Sequence, residues 1–313
     1  MNSSRRQFLL GAAAVAVRFD SGREPRSFKP ESIAQDFEIK VGYTSAAWGD
    51  QTEQAIGEIS DLGYQGIQIH EGVYRKYASR TGEFKSLMFA KKLTVVSLST
   101  GGLTSNSNSE KQEIADRVAM AKWLKDVGGL YLQVTDGARA KQGVNDHDDY
   151  KKMSRRLTEI GKRSFSEHGI RVGYQNQIGS LGERRDEFDR ILEAADSKSV
   201  WALVDLAHMQ AAGADPVRMT RDYLNRMVCP IFRDVLIPKS QTSLDGRTAK
   251  PKYDFVDLGM GVVNTPAALQ IMKDFRYRGW VLVGLDRAIN GRTPKESAVT
   301  NKRFVEEKLK LKV

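Results

Sequence analysis

Residues 200–206 read "VWALVDL", an apolar run closed by a carboxylate, Asp205, with an imidazole, His208, three positions on. A carboxylate ending a buried run must be hydrogen-bonded, paired or bound to a cation. The three-residue offset brings His208 toward the same pocket, where the two could hold an ion, polarise a carbonyl or move a proton. Other apolar runs also end in polar groups: "GIQIH" is followed by Glu71, "IRVGYQN" ends in Gln175 and Asn176 with Gln177 next, "MVCPIFRDV" contains Asp234, and "WVLVGLD" reaches Asp286. Amide side chains donate and accept at once, which suits sugar hydroxyls, but they cannot act as general bases. His70 and Glu71 are neighbours and face opposite ways on an extended strand, so at most one points inward, and Glu71 is expected at the rim. One position is conspicuous for what it lacks. The run Trp280–Val283 stops at Gly284, two residues short of Asp286.

The elements that must position these groups alternate. Short β-branched runs at 39–44, 66–70, 93–99, 130–135, 170–176, 200–206, 227–235 and 280–286 are separated by amphipathic stretches, the pattern of βα units and a parallel sheet. In one of those stretches Ile114, Val118, Ala121 and Leu124 fall at helical spacing ahead of Gly128 and Gly129, where a left-handed terminator is wanted. Thr265 and Pro266 are expected to cap and begin another helix. Eight alternations predict a (β/α)8 TIM barrel, whose functional face lies at the carboxyl ends of the strands. Pro230, inside the seventh run, removes a ladder donor and predicts a bulge or a shortened strand there.

Composition narrows the function classes. The 313 residues, 40% hydrophobic and 28% charged, suit one large globular domain. Of the net charge of +10, residues 1–30 hold +4: Arg5, Arg6, Arg18, Arg23, Arg26 and Lys29 against Asp20 and Glu24. The remainder is scattered over helix faces such as "KKMSRRLTEIGKR", without aromatic interleaving, which predicts solvated surface and no nucleic-acid partner. The lone cysteine, Cys229, sits in "MVCPIF" and reads as a small buried hydrophobe. "SSRRQFLLGAAAVAV" (3–17) resembles a twin-arginine export signal. Residues 1–30 are therefore expected to be a leader and linker with a periplasmic destination, and residues 31–313 the barrel. The leader's apolar run of about ten residues is too short to span a bilayer, so no stable membrane insertion is expected.

With "VGYTSAAWGD", "GLYLQVTDGA", "YQNQIGSLGER", "VDLAHMQAAGADP", "FVDLGMGVVNTPAAL" and "GWVLVGLDRA" in view, the chain from about 38 to 312 resembles the sugar phosphate isomerase/epimerase family, the xylose isomerase-like TIM barrels. The resemblance implies a sugar or keto-sugar substrate and a divalent cation (Mn²⁺, Mg²⁺ or Zn²⁺) held at the ends of strands five to eight. It assigns Asp205 to the metal and His208 to the substrate. The other ligand positions fall on Gln175, Ile231 and Gly284, so the metal is expected to be weakly held or absent. Two functional readings follow. In the first, an isomerase or epimerase uses His208 to polarise the carbonyl and Glu71 or Asp286 to shuttle the proton. In the second, a catalytically inactive barrel binds carbohydrate through Gln175, Asn176, Gln177 and Trp48. A barrel serving only to bind a partner is a third possibility that fold alone does not exclude.

Overall fold

A computed structural model describes residues 38–104, 107–137, 147–237, 253–289 and 291–313. The proposed leader at 1–30 lies outside the described residues. Residues 37–313 form one compact unit.

Eight parallel strands build the barrel: β1 (Ile39–Thr44), β2 (Gly66–His70), β3 (Thr94–Leu103), β4 (Tyr131–Asp136), β5 (Arg171–Gln175), β6 (Val200–Leu203), β7 (Ile231–Phe232) and, last along the chain, β10 (Gly279–Val283). Their hydrogen-bonded order is β6-β5-β4-β3-β2-β1-β10-β7. The gap between β7 and β6 is bridged at only two points, Ala202 with Met227 and Asp205 with Ile231, so the barrel is nearly closed. Pro230 weakens the seventh strand on its other side: it has no N–H to give to β10, although its carbonyl still accepts the Leu282 amide at 3.0 Å. The run expected as one strand over 227–235 is therefore two short ones. After Arg233 the chain leaves the barrel as β8 (Asp234–Leu236), which pairs antiparallel with β9 (Asp254–Val256).

Helices α1 (Thr52–Asp61), α2 (Glu71–Tyr77), α3 (Thr81–Ala90), α4 (Glu110–Asp126), α5 (His147–His168), α6 (Arg185–Ala194), α7 (Leu206–Ala211), α8 (Pro216–Tyr223), α9 (Thr265–Asp274) and α10 (Pro294–Glu307) pack around the strands. In α4 the four residues at helical spacing are all buried, and Gly128 takes φ +80° after it. The cap of α9 is Asn264, whose side chain accepts the Ala267 amide at 3.1 Å, with Thr265 already inside the helix.

The alternation of side chains along each strand sets the layers of the interior. Trp280, Leu282, Leu203, Val96, Val228, Cys229 and Ile231 form an apolar cluster of their own, separate from the larger core under the helices. Gly66 makes room for it: a Cβ there would come within 2.5 Å of both the Trp280 ring and Val96. Burial pushes the Cys229 thiol far above its usual range, consistent with a packing role. Two residues further along the same strand faces come Gln68, Gln175, Asp205 and Gly284. The plug of apolar side chains thus becomes the floor of a polar mouth.

Candidate active site at the barrel mouth

The polar layer begins as a directed chain of amides. Gln68 Nε2 donates to Gln133 Oε1, Gln133 Nε2 donates to Gln175 Oε1, and Gln175 Nε2 donates to Asp205 Oδ2 at 3.2 Å. All four side chains are buried. Because a carboxylate can only accept, Asp205 at the end fixes which way each glutamine faces. Its other oxygen, Oδ1, accepts the amides of Ala207 and His208 at 3.1 and 3.2 Å, so the same residue caps α7. That cap explains the three-residue spacing seen in the sequence: the first turn of α7 carries His208 back over the strand end. Asn176 supports the arrangement from behind, its Oδ1 accepting the Asp205 amide at 3.1 Å and its Nδ2 lying 3.4 Å from the Asp205 carbonyl.

His208 lines the mouth with its ring packed against Phe255, centroids 4.6 Å apart. Its Nδ1 accepts the Ile178 amide at 3.1 Å, which puts the hydrogen of the neutral ring on Nε2. Nε2 lies 3.5 Å from Asp286 Oδ2 and 3.2 Å from Arg233 Nη1. Since a guanidinium only donates, the ring's acceptor is the Asp286 carboxylate.

Arg233 is a buried residue of the mouth that sequence reasoning passed over. Its side chain is 1% exposed. Nε donates to the Gly284 carbonyl at 3.0 Å, Nη2 donates to Asp286 Oδ1 at 2.7 Å, and Nη1 donates to Asp286 Oδ2 and stands 3.5 Å from Asp205 Oδ2. Burial alone would lower the affinity of the guanidinium for its proton, but Asp205 and Asp286 outweigh it and hold the group firmly charged. The reciprocal effect appears at Asp286. Desolvation works against its ionisation, yet Arg233 and then His208 hold its carboxyl well below the usual range, although its side chain is 47% exposed.

Two adjoining cavities open here, of about 300 and about 230 Å³, which share Gln177 and Asp286. The larger is lined by Gln68, Gln133, Gln175 and the hydroxyl residues Thr44, Ser99, Thr100 and Thr135. The smaller is lined by His208, Tyr253 and Phe255. The expected site residues are distributed unequally. Gln175, Gln177, His208 and Asp286 line cavity wall. Glu71 lies at the rim as the first residue of α2, in an ion pair with Arg75 at 2.6 Å. Asp205 and Asn176 stand behind the wall. Trp48 sits elsewhere: its indole is buried and donates to Glu58 Oε2 at 2.8 Å, and it lines neither cavity. Asp234 is committed to structure, since its two oxygens accept the amides of Val235, Gly259, Gly261 and Val263 at 2.9–3.0 Å.

The residues present do not fit a resident divalent ion. Hard cations need several anionic or carbonyl oxygens, and catalytic zinc about three protein ligands. Here the point on which Asp205 and Asp286 converge is filled by a guanidinium. Among the described residues no group of three His, Cys, Asp or Glu side chains is placed to hold a metal. Gly284, where the resemblance implies a carboxylate, contributes its carbonyl to Arg233.

A nearly closed (β/α)8 barrel with its cavities at the carboxyl ends of the strands has the architecture of a TIM barrel. The chain belongs to the family described as xylose isomerase-like TIM barrel, whose profile matches residues 56–307. Inosose dehydratase of Clostridium beijerinckii is 21% identical over 295 residues, covering 86% of this chain and 97% of the relative. Among solved structures, the IolI protein with a bound zinc atom has a TM-score of 0.70 at 15% identity, covering 86% of this chain and 97% of that one. The 3-keto-D-glucoside 4-epimerase of E. coli has a TM-score of 0.66 at 16% identity, covering 84% and 98%. Among the described residues no helix is long and apolar enough to cross a membrane.

Proposed function

We propose that this protein takes a sugar or keto-sugar in the barrel mouth and moves a proton at the carbon beside its carbonyl, the step shared by isomerases, epimerases and dehydratases of such molecules. The observation that carries this reading is the division of the mouth into two walls. One is a row of oriented amides and hydroxyls able to bond several sugar hydroxyls at once. Facing it is the His208 imidazole, whose Nε2–H, directed at Asp286 Oδ2 over 3.5 Å, would be shared with a carbonyl bound beside it. Asp286, exposed, and Glu71, half-buried, are carboxylates lining the larger cavity, and the proton would pass to one of them. The sugar-processing names among the relatives support the same class of ligand.

A second reading, a barrel that binds carbohydrate without turning it over, is favoured by Arg233. By holding Asp286 strongly ionised, the guanidinium makes it a weak base, and Brønsted behaviour then slows proton abstraction. Incubation with a panel of ketoses and cyclic polyol ketones in D₂O, followed by proton NMR, separates the two. Exchange of the hydrogen beside the carbonyl, lost in His208→Ala, supports the enzyme. A ligand that raises the melting temperature with no exchange over days supports the binding protein. No stabilisation by any sugar or keto-sugar contradicts both.

A further inference from the structure

The two cavities of the mouth differ in chemistry. The larger is lined by glutamines and hydroxyl residues, whereas the smaller has a wall of Ile178, Leu285, Tyr253 and Phe255 beside the His208 ring. The aromatic part of that wall is an addition to the barrel. After Arg233 the chain leaves as β8 and returns in β9, which brings Tyr253 and Phe255 to the mouth. These two residues alternate with the exposed Asp254 and so share one face of the hairpin. Their ring centroids are 5.4 Å apart with planes tilted by 60°. Phe255 is fixed from within by the His208 ring at 4.6 Å and by the Arg233 guanidinium at 5.7 Å. Tyr253, Phe255 and Ile178 nevertheless remain only half-buried, so apolar surface is left facing the cavity. The exposed Arg287 adds a guanidinium to this lining, a cation suited to the face of an aromatic ring. Size points the same way. Cavities that take a whole small ligand usually measure about 300–1,000 Å³, and these two, at about 300 and about 230 Å³, have room for one ring each.

We propose that the smaller cavity is a subsite for an aromatic aglycone, so that the ligand is an aryl glycoside or its ring ketone. Its sugar lies against the amide row, its aromatic ring against Tyr253 and Phe255, and the bond joining them crosses between Gln177 and Asp286, which line both cavities. A flat hydrocarbon ring fits this lining better than a second sugar. The hydroxyls of a second sugar would face Ile178, Leu285 and two aromatic rings, and would give up hydrogen bonds to water there without replacement. The inference rests on the sugar reading above and narrows it from sugars in general to those carrying an aromatic substituent.

The test is calorimetric titration of the full chain with matched methyl and phenyl glycosides of D-glucose and D-galactose in both anomeric forms, with cellobiose and D-fructose, and with the ring ketones of the glycosides. The phenyl compound is expected to bind roughly tenfold or more tightly than its methyl partner, from the area and ring contacts it adds. Tyr253→Ala is expected to bring the two within about threefold of each other, and Tyr253→Phe, which keeps the ring, to preserve the ratio. Equal affinities in the wild type, a ratio untouched by Tyr253→Ala, or tighter binding of cellobiose than of phenyl glucoside overturns the proposal. Should Tyr253→Ala not fold, saturation-transfer NMR on the wild type decides: the phenyl protons are expected to receive more saturation than the sugar protons, and the reverse order overturns the subsite. Binding of D-fructose with rejection of every glycoside also overturns it and leaves the sugar reading standing. No binding by any of these compounds defeats the sugar reading itself, and the proposal with it.

Discussion

Gly284 occupies the position where a metal-binding carboxylate is implied by resemblance, and the structure makes a strong prediction about refilling it. Its φ is +125°, a conformation that side chains with a Cβ rarely adopt. A Cβ there would lie 2.7 Å from Thr44 Cγ2 and 2.9 Å from the Tyr43 ring carbons. Tyr43 cannot yield easily: it is buried, and its hydroxyl accepts Asn301 Nδ2 at 3.0 Å, with Asn301 in turn donating to Asp257 at 3.1 Å. Gly284→Ala therefore combines backbone strain of ~1–3 kcal/mol with overpacking of ~1–3 kcal/mol, less up to ~1 kcal/mol returned by stiffening the unfolded chain. The expected net loss is roughly 2–5 kcal/mol, a large part of the 5–15 kcal/mol a domain has in total. Urea unfolding by circular dichroism would show it as a lower midpoint at unchanged slope. Gly284→Glu carries the same Cβ and is expected to be no more stable. If Gly284→Ala unfolds within about 0.5 kcal/mol of the wild type, the packing account of this glycine is wrong.

Other consequences are independent of that position. Asp136 is buried, with Oδ2 accepting the Gly182 amide at 2.9 Å and Oδ1 without a hydrogen-bond partner among the described residues; burial pushes its pKa up to about 6 against the bonds from Ser180 and Gly182. The folded state then binds the proton more tightly than the unfolded state, so its stability falls as pH rises from about 4 to about 6. The loss is on the order of 3 kcal/mol, and Asp136→Asn should flatten that part of a stability–pH curve; an unchanged curve rejects the shift. Asp234→Ala strands four backbone donors, that of Val235 and three in residues 259–263, and should cost about 3 kcal/mol or more. Amide exchange at Gly259, Gly261 and Val263 should rise by orders of magnitude while α4 stays protected, and unaltered exchange there would show that Asp234 does not pin the loop. Gln177→Ala, which leaves the amide chain intact, should weaken binding of any stabilising keto-sugar by roughly tenfold, about the worth of one hydrogen bond; calorimetry showing full affinity would remove Gln177 from the site.

The barrel could be read from the sequence because its signal is repetitive: eight apolar runs and the helical spacing of residues such as Ile114 and Val118 each restate the same pattern. Pro230 foretold the weak seventh strand by the chemistry of its missing N–H. The site was read less fully, for reasons that differ by residue. Asp205 and His208 stand out by type, and a helix cap holds them together. Gln68 could have been found by alternation, since in "GIQIH" it shares a face with Gly66 and His70; alternation also separates Gln175, on the wall, from Asn176, which turns to the backbone of residue 205. Trp48 suggested a sugar platform, but its hydrogen bond to Glu58 joins a short turn to α1 and has no local signature. Arg233 had one, an arginine inside the apolar run "CPIFRDV". Its partners Asp205 and Asp286 lie 28 and 53 residues away, and only the closed barrel brings them within reach.

Crystals grown with 5 mM MnCl₂ and a stabilising keto-sugar, measured at the manganese absorption edge, put the whole arrangement to one test. The sugar should lie against Gln133, Gln175 and Gln177 with its carbonyl toward His208, the Arg233 guanidinium should remain between Asp205 and Asp286, and the anomalous map should be flat at that point. A manganese peak bonded to Asp205 and Asp286, with Arg233 displaced, would contradict the account.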